Sequence, residues 1–386
     1  MSDLTLLNGD GGTASVALAD APAFTKPAAS LTSRTAYAAA HVVPKPWAEN
    51  VPGAPADIDW DATLAFRRHV WSWGLGVADA MDTAQRNMGL DARATRELIT
   101  RSAAEARSVG GALVVGVNTD HVDDEVISLD AVIDAYTEQL QFTEDAGAGV
   151  VLMASRHLAR VATSAADYER VYRAVLQAAS TPVILHWLGV AFDPALAGYF
   201  GSPDPTVASE TVLRIIGDNA DRVSGIKLSL LDADAEIALR SRLPETAAMF
   251  TGDDFNYVRL IEGDESTRSD ALLGAFAALA PSASAAIQAL DAGDRARYRA
   301  VLAPTEALSR QVFAAPTFYY KTGVAFVSWL NGHQESFTMI GGLHAARSLP
   351  HLSEIVRLAN GCGALEHPEL AADRWHSLLR LNGLPA

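Results

Sequence analysis

From Tyr37 onward, short apolar runs alternate with longer stretches whose apolar positions recur at helical spacing, the pattern of repeated β-α units. The runs are Tyr37–Val43, Leu75–Met81, Ala112–Val117, Gly149–Met153, Pro182–Trp187, Val223–Leu228, Thr246–Thr251 and Asp270–Phe276. They are almost wholly apolar rather than alternating, as strands buried on both faces of a parallel sheet must be. Helices are predicted between them, for example over Ala92–Ser108, Leu129–Ala146 and Ala165–Ala179, the last preceded by the cap pair Thr163-Ser164. Eight such units in series predict an α/β fold, a closed (β/α)8 TIM barrel. No GxGxxG follows the first run, which speaks against a dinucleotide-binding sheet. Beyond Pro281 the strand pattern stops. Helices are predicted there over Ser282–Leu290, Arg295–Val312, Lys321–Asn331, Leu352–Leu358 and Glu369–Leu381. The expected organisation is an N-terminal arm over 1–33, a barrel over 34–281, and a helical extension over 282–386 packed on the barrel.

Composition narrows the partners. Hydrophobic residues make up 49% of the 386, enough for a large core. The 46 acidic against 30 basic residues give a formal charge of −16. That sign excludes the basic face a nucleic-acid binder needs and disfavours an anionic membrane surface. The sequence contains no run of 18 apolar residues that could span a bilayer, and the Gly/Ala/Thr-rich start lacks the basic and apolar blocks of a signal peptide. The single cysteine, Cys362, cannot form an internal disulfide and reads as packing. The expectation is a cytoplasmic protein with no bound dinucleotide, haem or other cofactor.

Against that background one residue stands out. The chain has four lysines, Lys26, Lys45, Lys227 and Lys321, and otherwise uses arginine. Lys227 ends the apolar run Val223-Ser224-Gly225-Ile226-Lys227-Leu228-Ser229. Burial there costs several kcal/mol unless the amine deprotonates or is paired. The same desolvation frees its lone pair for attack on a carbonyl carbon, chemistry that arginine cannot do. Barrel enzymes place catalytic side chains at such strand ends. The plain alternative is a lysine that reaches the rim or pairs with Asp232.

Around Lys227 the sequence resembles the dihydrodipicolinate synthase / N-acetylneuraminate lyase family of class I aldolases, in a divergent branch. The resemblance covers about Ala38 to Asn331. Gly225-Ile226-Lys227-Leu228-Ser229 resembles the strand that carries the family's Schiff-base lysine, and Ser180-Thr181-Pro182-Val183-Ile184-Leu185 the strand before it. Asp167-Tyr168-Glu169 resembles the start of the helix preceding that strand. Thr251-Gly252-Asp253-Asp254 resembles the loop after strand seven, Lys45-Pro46-Trp47 with Asp57-Ile58-Asp59 the opening motif, and Val115-Gly116-Val117-Asn118 the third strand. The resemblance implies a lyase that makes or breaks a carbon–carbon or carbon–oxygen bond through a lysine imine on Lys227, with His186 placed beside it at the mouth as the second catalytic residue. It also implies association as dimers or tetramers.

The departures bear on the substrate. His186-Trp187 stands where the family has a catalytic tyrosine, and Ala154-Ser155-Arg156-His157 replaces its tyrosine-rich loop. Met81-Asp82-Thr83-Ala84-Gln85 stands where the family grips a carboxylate, and only Thr83 matches. An anionic Asp82 would repel an acid substrate by roughly 1 to 4 kcal/mol at ~4 Å. A neutral keto-sugar or other polyhydroxylated carbonyl compound fits better. The expected substrate contacts are Asp82, Thr83, Asn118, Ser155, Arg156, Ser229 and Asp253, with Asp253 and Asp254 also suited to capping a helix. His186, with an ordinary pKa near 6.5, is expected to shuttle protons. The main reading has no metal. Its alternative is a metal-dependent isomerase, epimerase or lyase that draws ligands from His41, Asp82, His121, His157, His186 and Asp253.

Overall fold

The computed structural model describes residues 3–264 and 266–385. Each of the eight apolar runs overlaps a strand. They are β3 (Ala36–Ala39), β4 (Gly76–Asp79), β5 (Leu113–Val117), β6 (Gly149–Leu152), β7 (Val183–Leu188), β8 (Val223–Ser229), β9 (Ala248–Thr251) and β10 (Asp270–Leu273). All pair in parallel, and β10 closes on β3, so the sheet has no free edge. Alternate residues of the strands fill the interior, among them Ala39, Ala78, Val114, Val151, Ile184, Phe250 and Leu272. The opposite residues pack under the surrounding helices, which is why both faces had to be apolar.

Two charged residues inside this apolar layer set the entry to the mouth. Arg67, on the helix Trp60–Ser72, forks onto Asp79 at the end of β4 with bonds of 2.9 and 2.7 Å. Both side chains are fully buried. The remaining guanidinium nitrogen donates to the carbonyls of His41 and Thr63, and Asp79 also accepts from the Ala80 N–H. A buried pair is tolerable only when satisfied this completely. It fixes the turn at Ala80, where φ is +48°, and so the direction in which Met81 and Asp82 leave the strand.

The arm carries structure of its own, and one predicted helix is corrected. The N-terminal arm contains a hairpin of β1 (Asp3–Leu7) and β2 (Thr13–Ala17). Its Leu4 and Leu6 join the core of the C-terminal helices, and Trp375 Nε1 donates to the Thr5 carbonyl at 2.7 Å. The predicted helix Arg295–Val312 is two helices, Arg295–Leu302 and Thr305–Val312. Pro304 lies between them and lacks the N–H a continuous helix would need. Cys362 is half-buried, and burial pushes its thiol up to about 11, so it stays protonated. Among the described residues no helix is long and apolar enough to cross a membrane.

Candidate active site at the barrel mouth

Residues paired in register across a parallel sheet share a face, and His186 of β7, Lys227 of β8 and Phe250 of β9 are in register. Phe250 belongs to the interior cluster, so Lys227 and His186 face inward as well. Two glycines make room for this arrangement. A Cβ on Gly225 would lie 2.5 Å from the Ala248 carbonyl and 2.9 Å from the Phe250 ring, so the ring fills the barrel beneath the lysine only over a glycine. A Cβ on Gly252 would lie 2.8 Å from Lys227 Cε and 2.2 Å from Ser229 Oγ, so the lysine stem runs directly over that backbone.

Lys227 is 8% exposed, and among the described residues its amine forms no hydrogen bond or ion pair. Desolvation holds its pKa below the ordinary lysine value, opposed first by the Asp254 carboxylate and then by Asp82. Asp254 is buried too. Loss of water raises its pKa to about 7, against the Ala275 N–H (2.8 Å) and the Lys227 amine, which both favour the anion. Burial thus weakens the charged form of both groups. The mouth holds an amine lowered from its ordinary value and a carboxyl that exchanges a proton near pH 7.

His186 departs from expectation. Its Nε2 shares a hydrogen bond with Ser229 Oγ at 3.1 Å, and its Nδ1 is buried without a partner. Burial and then the Lys227 charge drive its pKa well below 6.5. It is a neutral imidazole that orients Ser229, and the group able to exchange protons near neutrality is Asp254.

The predicted substrate contacts divide. Asp82 opens a 3-10 turn over Asp82–Ala84, half-buried, and its charge is felt by Lys227, Tyr320 and Lys321. The Thr83 hydroxyl is engaged by the Tyr320 hydroxyl at 2.8 Å. Asn118 and Arg156 line a side cleft of about 200 Å³ with Asn87, Thr119, His157 and Arg160, and Lys227 does not line that cleft. Arg156 is half-exposed and pairs with Asp193 at 2.6 Å. Ser155 is fully buried, caps the helix Arg156–Val161 and bonds Thr119 Oγ1 at 2.7 Å. Asp253 takes the capping role that was its other expectation: its carboxylate accepts from the N–H groups of Phe255 and Asn256 and from Asn256 Nδ2. Asp232 caps the helix Ala233–Arg240 and does not pair with Lys227.

Sequence reasoning assigned no role to Tyr320 or Lys321. Both come from the helix Tyr320–Leu330, far along the chain, and only the fold brings them to the mouth. Tyr320 stacks on Phe313 with centroids 4.4 Å apart. Lys321 is buried, donates to the Phe318 carbonyl at 3.1 Å, and is lowered by burial to about 8 although Asp82 and Asp193 raise it. The mouth thus carries two acids and two amines, and Lys321 partly offsets Asp82.

The histidines of the metal alternative are committed elsewhere. His41 bonds Gln334 at 2.9 Å, His121 bonds Gln139 at 2.8 Å, and His157 bonds Thr119 and the Asp124 carbonyl. Among the described residues, no three of the six candidates bring ligand atoms within 4.8 Å of one another.

A family described as "Protein of unknown function (DUF993)" matches residues 4–384. No curated protein matches the sequence. Solved structures with the same fold include the 4-hydroxy-tetrahydrodipicolinate synthase of Methylacidiphilum fumariolicum SolV, with TM-score 0.66 and 15% identity over 90% of this chain and 98% of that one. Dihydrodipicolinate synthase from Oceanobacillus iheyensis gives 0.63 and 14%, covering 85% and 96%. The enzyme from Aquifex aeolicus gives 0.61 and 13%, covering 91% and 99%. At these identities the likeness establishes the fold.

Proposed function

The chain belongs to the DUF993 family, and from the chemistry of its barrel mouth we propose that it is a lyase acting on a small carbonyl compound through a Schiff base on Lys227. The observation that carries the reading is a desolvated amine on an inner strand, held by no ion pair, beside a carboxyl raised to about 7. The neutral amine would attack the carbonyl carbon, and the carbinolamine would lose water with a proton from Asp254. The protonated imine then accepts the electron pair of the bond that breaks and becomes an enamine, and in the reverse direction the enamine supplies that pair to the bond that forms. His186, neutral and bonded to Ser229, would orient that hydroxyl toward the intermediate. The dihydrodipicolinate synthases that share the fold support this class of chemistry. Association as dimers or tetramers is part of the same reading.

The charge relation gives a pH prediction. Asp254 favours the ammonium form of Lys227, so its removal should let the amine deprotonate at lower pH. In the wild type, imine trapping should rise with pH through a limb below the ordinary lysine value of about 10.4. In Asp254→Asn that limb should move to lower pH, while the maximal rate falls roughly 10²-fold for want of a proton donor. Pseudo-first-order rates of borohydride trapping against pH measure both. A limb that stays in place or moves up refutes the influence of Asp254 on the amine.

For the substrate we propose a neutral polyhydroxylated ketone or aldehyde. Asp82 accepts hydrogen bonds from hydroxyls and repels an acid, although Lys321 softens the repulsion. A screen of carbonyl compounds should show borohydride adducts with keto-sugars and few with pyruvate. In Asp82→Thr, which removes the stronger of the two acids that act on Lys321 and leaves Asp193, pyruvate labelling should rise roughly tenfold or more. Efficient labelling of the wild type by pyruvate would sink this substrate class.

A further inference from the structure

A second cluster lies where the first barrel helix meets the C-terminal helices. His69 is in the last turn of the helix Trp60–Ser72, His333 follows the helix Tyr320–Leu330, and Glu366 lies between the helices Leu349–Cys362 and Pro368–Leu381. Glu366 Oε1 is 2.8 Å from His333 Nε2 and 3.5 Å from His69 Nε2. One ligand atom from each residue lies within 4.8 Å of the other two. The two imidazole centroids are 4.1 Å apart and tilted by 46°, so the rings converge on one carboxylate oxygen rather than stacking.

The scaffold holds these groups in place. The His333 N–H donates to the Ser328 carbonyl at 3.0 Å. Asn331 accepts from the Glu366 N–H and donates to the Ala364 carbonyl, each at 2.9 Å, which clamps the two loops together. Phe66 flanks both rings, 6.1 Å from His69 and 5.6 Å from His333. The three side chains are 17–18% exposed, shielded but reachable from solvent.

We infer that His69, His333 and Glu366 bind one divalent transition-metal ion of the zinc class. A tetrahedral ion with bonds of about 2.0–2.1 Å needs ligand atoms roughly 3.3 Å apart, and the observed spacings straddle that edge. Two imidazoles and a carboxylate suit zinc, whereas magnesium and calcium prefer all-oxygen sets. Water from the open side completes the fourth position. The ion ties a barrel helix to two segments far along the chain. It also anchors the end of the helix whose first residues, Tyr320 and Lys321, stand at the mouth. Its role is a structural clip, separate from the imine chemistry.

The test uses untagged full-length protein, stripped with chelator and then titrated with Zn²⁺ alone or Co²⁺ alone. The wild type should retain one zinc per chain through gel filtration. With cobalt it should show the visible absorption of a four-coordinate ion. Zinc should raise Tm by roughly 5 °C or more. His333→Ala and Glu366→Gln should lose both the metal and the Tm increment. His69→Gln, on a half-buried helix face, carries the same expectation should either of those not fold. Borohydride labelling of Lys227 should not change on stripping. A cooperatively melting wild type that binds neither ion overturns the assignment, as does metal that persists in the variants.

Discussion

Lys227→Met should abolish imine trapping and reduce turnover by roughly 10⁴-fold or more, while the protein melts at the same temperature as the wild type or higher. Methionine keeps the unbranched stem that crosses Gly252 and loses only the amine. That amine is desolvated and unpaired, so it opposes folding, and a group retained at such a cost marks function rather than structure. Arginine is the poorer replacement, because its charge cannot be shed on burial. Parallel thermal melts and borohydride labelling check both halves. Loss of labelling together with a large fall in Tm would mean that Lys227 supports the fold instead.

Gly252→Ala should cost about 1–3 kcal/mol of stability and lower the trapping rate by roughly 10² or more. The added methyl would stand 2.2 Å from Ser229 Oγ, 2.8 Å from Lys227 Cε and 3.0 Å from the Leu228 carbonyl oxygen. The side chains can turn away from it, but the backbone oxygen cannot. The lysine stem must therefore shift, and Ser229 must leave His186. A displacement of this size at a reacting amine is enough to break alignment with a carbonyl carbon. Denaturant unfolding gives the first quantity and trapping kinetics the second. Labelling at the wild-type rate would show that the lysine does not lie over this backbone.

How far the sequence could be read followed the range of the interactions. Strands that need both faces apolar advertise themselves, and each of the eight runs overlaps one. The hairpin β1–β2 was missed, although Asn8-Gly9-Asp10-Gly11-Gly12 between two short runs is turn chemistry. Pro304 likewise signals the helix break that the reading of one helix over Arg295–Val312 passed over. Lys227 was visible as a cation in an apolar run. The difference between Asp253 and Asp254 was not. Adjacent acids after a strand look alike, and only the folded loop shows that the first is consumed by N–H donors while the second is buried beside the lysine. His186 was placed on the correct strand but given the pKa of a solvated ring, since desolvation is a property of the packed state. Tyr320 and Lys321 lie roughly a hundred residues beyond Lys227 and reach the mouth only through tertiary packing, for which no local pattern exists.

The most direct measurement is peptide mapping after borohydride reduction in the presence of a carbonyl compound that labels the protein. Four lysines compete, and two of them, Lys227 and Lys321, have amines lowered by burial, so the site of labelling decides between them. Stoichiometric adduct on the peptide containing Lys227, absent from Lys227→Met, is the predicted result. Adduct on Lys321, or labelling that survives in Lys227→Met, would contradict an imine mechanism at Lys227.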